Sequence, residues 1–426
     1  MIKQPALIAC ALLLLLTASC TRRSNQGTPL ANVMQPVRVS AENVDAAEPS
    51  LAATRDGTAY VAWIEHRANK EADVFVAHLD SEGRTTGAPV RVNPKAGEAT
   101  AWRGDPPTVT VAPDKTVYVG WTARVEAVGH SANDLYLSAS RDEGRSFGPP
   151  VKVNDDAKPV VHGMHSLSVS TDNRVYLAWL DERNVAPPEG AQQGHQKMEH
   201  MESNRELFFA FSTDGGRTFS KNQRLASEAC PCCKTALVAG PDGRVYAGWR
   251  QVLPGDFRHI AVASSADGGQ TFAPPQIVSD DGWKITGCPV SGPALVIAGN
   301  GALRVVWYTA GERGSAGLYW TESRDHGQTF SARQLLADGQ VRGNPFLLMD
   351  EKSNLLVVWE SDSEQEPRVL SARLDADGTV TTALPLANNA ELPAATTMGG
   401  EQLFIGYIVS VKDQRSIWIT RAKPAA

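Results

Sequence analysis

A short apolar motif that ends in an aromatic residue recurs along the whole chain. Its clearest copies read DGTAYVAW, DKTVYVGW, DNRVYLAW and DGRVYAGW, and two looser copies read GALRVVWY and SNLLVVWE. The anchors are Trp63, Trp121, Trp179, Trp249, Trp307 and Trp359, with Tyr407 in a weaker seventh copy, EQLFIGYI. The runs between them alternate or are β-branched, and Gly, Pro, Asp and Asn bound them, which is typical of strands. No long segment has helical periodicity, so the sequence predicts an all-β chain.

Repeats of this size, each with four short strands, indicate a β-propeller of four-stranded blades. The anchors count seven blades. The last unit stops after its third strand, RSIWITRA, and a strand of the missing type, QPVRVS, stands near the start of the chain. We therefore expect the N-terminal strand to complete the last blade. Residues 36–426 would then form one propeller domain.

Four turns that follow third strands share a second motif. They read SRDEGRSF, STDGGRTF, SADGGQTF and SRDHGQTF. These turns resemble the Asp boxes, or BNR repeats, of the sialidase superfamily, and the resemblance covers essentially the whole mature chain. An Asp carboxylate can cap backbone N–H groups in such a turn, and the Gly takes a positive φ. This predicts a structural role for the four acids, Asp142, Asp214, Asp267 and Asp325. Sialidases proper have six blades, so six remains the alternative count.

The first residues have the pattern of an export signal. Lys3 precedes the apolar run ALIACALLLLL, and the small residues TAS then precede Cys20. This end resembles the lipobox of bacterial lipoproteins, in which the cysteine becomes the lipid-bearing N-terminus. The resemblance implies a signal peptide over residues 1–19, a flexible tether over 20–35 and lipidation at Cys20. Thr21, in place of the Asp that retains inner-membrane lipoproteins, favours the outer membrane of a bacterial envelope, facing the periplasm or the surface.

The charge of the chain limits the partners it can have. The formal net charge is -6, and a weakly acidic chain does not favour nucleic acid. No segment after the signal is apolar enough to span a membrane. We expect membrane attachment through the lipid alone, with a metal, a glycan or an envelope protein as the bound partner.

Soft metal ligands gather at the start of three consecutive innermost strands. These segments read HGMHSL, CPCCKTAL and GCPVSGPAL, and in a propeller all innermost strands begin at one face. That topology brings one set of residues to one rim of the channel: Cys230, Cys232, Cys233, Cys288, His162, Met164 and His165. An insertion in the third unit belongs to the same face and carries His195, Met198, His200 and Met201. Thiolate, thioether and imidazole together suit copper(I), and zinc is possible.

Disulfides are the alternative interpretation of these cysteines, because exported cysteines usually pair. A Cys230–Cys288 or Cys232–Cys288 bond would join adjacent blades, and the His/Met insertion would then be only a solvated loop. Both interpretations require the Cys288 sulfur to lie close to at least one of the other three.

The resemblance to sialidases also raises the question of catalysis. Those enzymes use an arginine triad, a Tyr–Glu nucleophile, an acid/base Asp and an R-I-P motif. This chain has no R-I-P, and Arg38 in PVRVS falls on the predicted outermost strand. Five arginines follow the anchors at the expected face, either as a carboxylate clamp or as partners of nearby acids: Arg67, Arg124, Arg183, Arg250 and Arg313. The catalytic residues stay unassigned. The sequence favours a non-hydrolytic, metal- or ligand-binding envelope protein, with an exo-α-sialidase-type glycoside hydrolase or a protein-docking scaffold as alternatives.

Overall fold

The structure of the protein is a computed structural model. It describes residues 33–423 apart from 55, 128–130, 186–203, 286, 351–353, 362–365, 376–377 and 399–401. Every regular element in these ranges is a β-strand, so the all-β prediction is confirmed. The described residues accordingly hold no helix long and apolar enough to cross a membrane.

The described strands follow one another in groups of four after a short first strand, β1, at Val37–Arg38. The first two units contain Asp45–Ala53 (β2), Ala59–His66 (β3), Ala72–Leu79 (β4), Val90–Arg91 (β5), Thr108–Val111 (β6), Val117–Arg124 (β7), Asn133–Ser140 (β8) and Val151–Lys152 (β9). The third and fourth units contain His162–Val169 (β10), Val175–Asp181 (β11), Arg205–Ser212 (β12), Gln223–Ala229 (β13), Ala236–Ala239 (β14), Val245–Leu253 (β15), Phe257–Ser265 (β16) and Gln276–Ile277 (β17).

The remaining units continue the same pattern. The fifth and sixth contain Ala294–Ile297 (β18), Leu303–Thr309 (β19), Gly317–Ser323 (β20), Gln334–Asp338 (β21), Val341–Met349 (β22), Leu355–Ser361 (β23), Arg368–Leu374 (β24) and Leu384–Asn388 (β25). The last contains Glu391–Met398 (β26), Gln402–Val411 (β27) and Gln414–Ala422 (β28), and it takes β1 as its fourth strand.

Each unit is an antiparallel meander, and the units form a ring. The third and fourth units share one sheet only because a single bridge joins Ala229 to Gln251. The innermost strands β2, β6, β10, β14, β18, β22 and β26 contact one another in that order, and β26 contacts β2. The described strands therefore form a β-propeller, with the starts of these innermost strands at one end of the channel.

The N-terminal strand closes the last unit as the sequence predicts. β1 pairs antiparallel with β28. The next residue, Val39, is 7% exposed, and its N–H donates to the carbonyl of Ile417 over 2.9 Å. The hydroxyl of Ser40 accepts the N–H of the same Ile417 at 3.0 Å.

The first unit shows that this is the ordinary geometry of a fourth strand. Val92 is 3% exposed, and its N–H donates to the carbonyl of Val74 over 2.8 Å. The side-chain oxygen of Asn93 accepts the N–H of Val74 at 2.7 Å. Val39 and Ser40 thus repeat the roles of Val92 and Asn93, although they come from the far end of the chain.

The tryptophan anchors fill the spaces between neighbouring sheets. Trp121, for example, lies in one apolar cluster with residues of both the first and the second unit. Buried indole N–H groups also find polar partners, since Trp179 donates to Asp181 at 2.8 Å and Trp307 to Asp281 at 2.7 Å. Large aromatic area and a satisfied N–H together make each anchor a fixed point for the strands around it.

The Asp boxes are hydrogen-bonded turns. In the third unit the Ser212 hydroxyl donates to Asp214 at 2.7 Å and accepts the N–H of Gly216 at 2.9 Å, while Thr218 donates to the same carboxylate. The other three boxes repeat this pattern around Asp142, Asp267 and Asp325. Hydrogen bonds, first from the Ser146 hydroxyl, lower the pKa of Asp142 to about 2. The carboxylates are occupied within their own turns.

Candidate metal centre at the channel mouth

A bulge in the third unit's innermost strand fixes it against the fourth unit. The register of β10 shifts between Gly163 and Ser166, and Met164 takes a positive φ of 56° there. The Met164 carbonyl is then free of the ladder and accepts both the N–H and the hydroxyl of Thr235, at 3.0 and 2.8 Å. The segment that follows the cysteines is thereby held in place.

A tight turn brings the three neighbouring cysteines together. Cys230 directly follows β13, and its N–H donates to the carbonyl of Arg250 at 2.8 Å. The N–H of Cys233 reaches back to the Cys230 carbonyl at 3.4 Å, with Pro231 at the position that favours such a turn. The Cys230 sulfur lies 3.9 Å from that of Cys232 and 3.5 Å from that of Cys233. The three sulfurs all lie within 4.8 Å of one another.

This three-cysteine centre is buried and positively charged on one side. Cys230, Cys232 and Cys233 are 1%, 3% and 1% exposed. One guanidinium nitrogen of Arg258 lies 3.2 Å from the Cys230 sulfur. Hydrogen bonds from the other two thiols, with the charges of Arg250 and Arg258, lower the pKa of the Cys230 thiol.

The pKa values of the other two thiols are raised. Hydrogen bonding to Cys230 raises the pKa of Cys232, and burial raises the pKa of Cys233. The Cys230 thiol is therefore the most acidic of the three, and metal binding would release the protons that the thiols still hold.

The fourth cysteine lies at the edge of this centre. Cys288 is exposed, and hydrogen bonding with it contributes to the raised pKa of the Cys232 thiol. Cys230, Cys232 and Cys233 are free thiols in the structure. A cysteine of the fifth unit thus affects the acidity of a thiol in the fourth unit's turn.

The two histidines do not join the cysteines. The ring of His162 contacts the Asn133 carbonyl at 2.7 Å and the Asp156 carboxylate at 3.0 Å. The ring of His165 lies 3.1 Å from the carboxylate of Asp105. Among the residues that the structure describes, the group of ligand atoms that lie within 4.8 Å of one another contains cysteines only.

Met164 differs from its two histidine neighbours. It is 3% exposed and packs in the same apolar cluster as the three cysteines. The other candidate ligands and the lipidation residue lie outside the described residues: His195, Met198, His200, Met201 and Cys20.

The arginines that follow the anchors are already engaged. Arg67 pairs with Asp73, Arg183 with Asp181 and Arg313 with Asp280. Arg124 donates to the backbone carbonyl of Lys70, and Arg250 is buried and donates to carbonyls of Ser291 and Tyr308. Their side chains serve local structure.

A different arginine crosses the channel mouth. Arg103 precedes β6 in the second unit, yet one of its nitrogens donates to both carboxylate oxygens of Glu360 in the sixth, at 2.7 and 2.6 Å. Its other terminal nitrogen donates to Glu391 in the seventh unit at 3.0 Å. Burial raises the pKa of Glu360, and the Arg103 charge opposes that rise.

The residues after Arg103 reach the other side of the ring. The Asp105 carboxylate accepts the backbone N–H of His165 at 3.2 Å, and the Pro106 carbonyl accepts the ammonium of Lys234 at 3.0 Å. We call residues 103–106 the bracing segment. Its only signal in the sequence is a charged WRGD string just ahead of an innermost strand.

A cavity of about 410 Å³ lies beside the bracing segment. Arg103, Trp283, Tyr308 and Arg342 contribute aromatic and cationic surface to its lining. Pro289 and Val290, which directly follow Cys288, also line it. The three-cysteine centre and the cavity therefore meet at the segment that carries Cys288.

Comparison with known proteins gives the family. The family described as BNR repeat-like domain matches residues 57–340. The chain belongs to this family. Among solved structures, this BNR repeat-like protein is similar to a protein of unknown function from Dyadobacter fermentans, at 13% identity and a TM-score of 0.56, over 92% of this chain and 99% of that one.

Two further solved structures are similar to this BNR repeat-like chain. An ulvan lyase, a polysaccharide lyase, matches at 11% identity and a TM-score of 0.56, over 90% of this chain and 95% of that one. A leech intramolecular trans-sialidase matches at 12% identity and a TM-score of 0.49, over 84% and 82%. No curated protein matches the sequence. At these identities the likeness is one of fold, which hosts several chemistries.

Proposed function

We propose that this protein binds a soft metal ion, copper or zinc, at Cys230, Cys232 and Cys233, and does not hydrolyse glycosides. The supporting observation is the convergence of three buried sulfurs within 4.8 Å. A metal about 2.3 Å from each sulfur sets those sulfurs about 4 Å apart, close to the distances of 3.5 and 3.9 Å from Cys230. Three thiols also exceed what one disulfide can pair.

The surroundings favour a charged metal–thiolate group. Three thiolates around a monovalent or divalent ion carry a net negative charge, which is costly to bury without compensation. Arg258 contacts Cys230, and the buried Arg250 lies close enough for its charge to lower the pKa of that thiol. These two guanidinium groups offset the charge of the loaded site.

Metal content tests the proposal. We expect protein purified under reducing conditions to hold one equivalent of copper or zinc, and the Cys230→Ser variant to lose it. Cys288→Ser is the matched control, because this cysteine is exposed and lies outside the group of three. Reduced wild type without metal, or metal retained when all three cysteines are replaced by serine, would contradict the proposal.

We further propose that a lipid on Cys20 holds the propeller at the bacterial envelope, on an outer membrane. The lipobox-like TASC sequence supports this. A fatty-acid probe should label the wild type and leave Cys20→Ser unlabelled. Label on the serine variant would place the attachment elsewhere.

The cavity favours a second candidate, a saccharide ligand or substrate. Trp283 and Tyr308 offer faces for a sugar ring, and Arg103 and Arg342 offer hydrogen-bond donors. An exo-α-sialidase-type activity would release the dye from a fluorogenic sialoside, and Arg342→Ala would abolish that release. Protein that neither binds metal nor cleaves the sialoside would point to a docking scaffold.

A further inference from the structure

We propose that the three-cysteine centre also binds trivalent arsenic, which arrives as neutral arsenous acid and ends bonded to the sulfurs of Cys230, Cys232 and Cys233. This ligand lies beyond the copper or zinc of the proposed function. It uses the same three sulfurs, but it does not require that either metal binds there.

The number and type of the ligand atoms support this ligand. Within the described part of the chain, the group whose ligand atoms all lie within 4.8 Å of one another consists of three sulfurs, with no nitrogen or oxygen. A structural zinc ion takes four ligands, so this group alone would leave it incomplete. Arsenic(III) forms three bonds and keeps a lone pair on its remaining side. Three thiolates therefore complete its valence.

The spacing of the sulfurs lets one atom bond to all three. The Cys230 sulfur lies 3.5 Å from that of Cys233 and 3.9 Å from that of Cys232. The histidines nearby contact carboxylates instead, since His162 lies 3.0 Å from Asp156 and His165 lies 3.1 Å from Asp105. The grouped donors are thus all soft, and soft thiolates favour soft acceptors.

The burial of the centre favours a product without charge. The three cysteines are 1% to 3% exposed and pack with Met164 and Trp249 in one apolar cluster. Three thiolates on arsenic(III) carry no net charge, whereas three thiolates on copper(I) or zinc leave a negative charge that is costly to bury. Arg258, 3.2 Å from the Cys230 sulfur, can donate to it in either complex, because a sulfur bonded to arsenic keeps lone pairs.

The binding step is a ligand exchange that needs no oxidant or reductant. Each arsenic–sulfur bond forms as one arsenic–oxygen bond of arsenous acid breaks. The hydroxide leaves as water with the proton of the thiol, so three exchanges release three waters. Where a sulfur starts as a thiolate, the proton comes from solvent, and the product is the same. Arsenic stays trivalent throughout.

X-ray absorption at the arsenic edge counts these bonds directly. The protein is reduced with a phosphine, which does not compete for arsenic as a thiol would, then incubated with sodium arsenite and desalted. We expect wild type to retain one equivalent of arsenic, with three arsenic–sulfur bonds and no arsenic–oxygen bond. This measurement needs no variant, so it does not depend on how substitutions affect folding.

Two variants assign the sulfurs. Cys232→Ser should bind arsenite at least about 100-fold more weakly, because one of three linked ligands is lost. Any arsenic that it holds should have two sulfur neighbours and one oxygen. Cys288→Ser is the matched control and should behave as wild type, because Cys288 is exposed and lies outside the group of three.

The possible outcomes separate this inference from the proposed function. Two sulfurs and one oxygen around arsenic in wild type would overturn the inference, as would loss of arsenic from Cys288→Ser. Wild type that binds copper or zinc but retains no arsenic would overturn the inference and leave the proposed function standing. Arsenic held by three sulfurs in a protein that binds neither metal would support the inference and refute the proposed function. Retention of none of these elements would refute both.

Discussion

The closure of the ring by the N-terminal strand can be tested with one small substitution. Val39 lies after β1 and is buried against the last unit, in a cluster that includes Ile417 and Ile419. Val92 occupies the same place in the first unit, where its partners are close in sequence. If the closure holds in solution, Val39→Ala and Val92→Ala should destabilise the protein to a similar extent.

The expected cost follows from the atoms removed. Each substitution deletes two buried methyl groups, worth about 0.8 kcal/mol each on transfer from water. The cavity that remains adds to this, so we expect a loss of about 2 kcal/mol in the free energy of unfolding. The loss caused by Val39→Ala should be slightly smaller than that caused by Val92→Ala, because Val39 is 7% exposed and Val92 is 3% exposed. Val411, which is 64% exposed, supplies the control, and Val411→Ala should change little.

Equilibrium unfolding in guanidinium chloride, with a shared slope for all variants, measures these differences. The reasoning is refuted if Val39→Ala behaves like Val411→Ala while Val92→Ala loses about 2 kcal/mol. That pattern would mean that the first strand is not docked on β28.

Three further predictions concern the turns and the channel. Ser212→Ala should cost about 1–3 kcal/mol in unfolding free energy, because it leaves the buried N–H of Gly216 without an acceptor; denaturant titration checks this. The lowered pKa of Asp142, about 2, means that its stabilising effect is complete above about pH 4 and is lost as the pH falls towards 2; Asp142→Asn should flatten that part of the stability–pH curve, and an unchanged curve would exclude the carboxylate as its source. Gly120→Ala would place a Cβ 2.7 Å from the Thr108 hydroxyl oxygen and should cost about 1–3 kcal/mol, whereas a melting temperature equal to that of wild type would show that the channel wall yields.

The fold was accessible from the sequence because its signals are local and repeated. Each anchor, such as Trp179, comes with its own strand pattern, and each Asp box, such as that of Asp214, closes its own turn. The closing strand was also predictable, since PVRV occurs both before Ser40 and before Asn93. Hydrogen bonds to both of these residues then have the same geometry.

The candidate site was predictable only in part. Strand order alone brings Cys230 and Cys288 from neighbouring units to one rim. The orientation of His165 depends instead on Asp105, a residue 60 positions away whose carboxylate accepts the histidine's own backbone N–H. The reach of Arg103 to Glu360 joins units on different sides of the ring, and no periodic pattern in the chain encodes such a contact.

The bracing segment changes how this ring comes apart. In a repeat protein whose units touch only their neighbours, opening spreads stepwise along one dimension. Here three residues of the bracing segment, in the second unit, contact four other units: they bind His165 in the third, Lys234 in the fourth, Glu360 in the sixth and Glu391 in the seventh. Unfolding of any one of these units therefore breaks contacts that stabilise the others. Amide hydrogens in β10, β14, β23 and β26 should therefore exchange with one common opening free energy, as a single cooperative block.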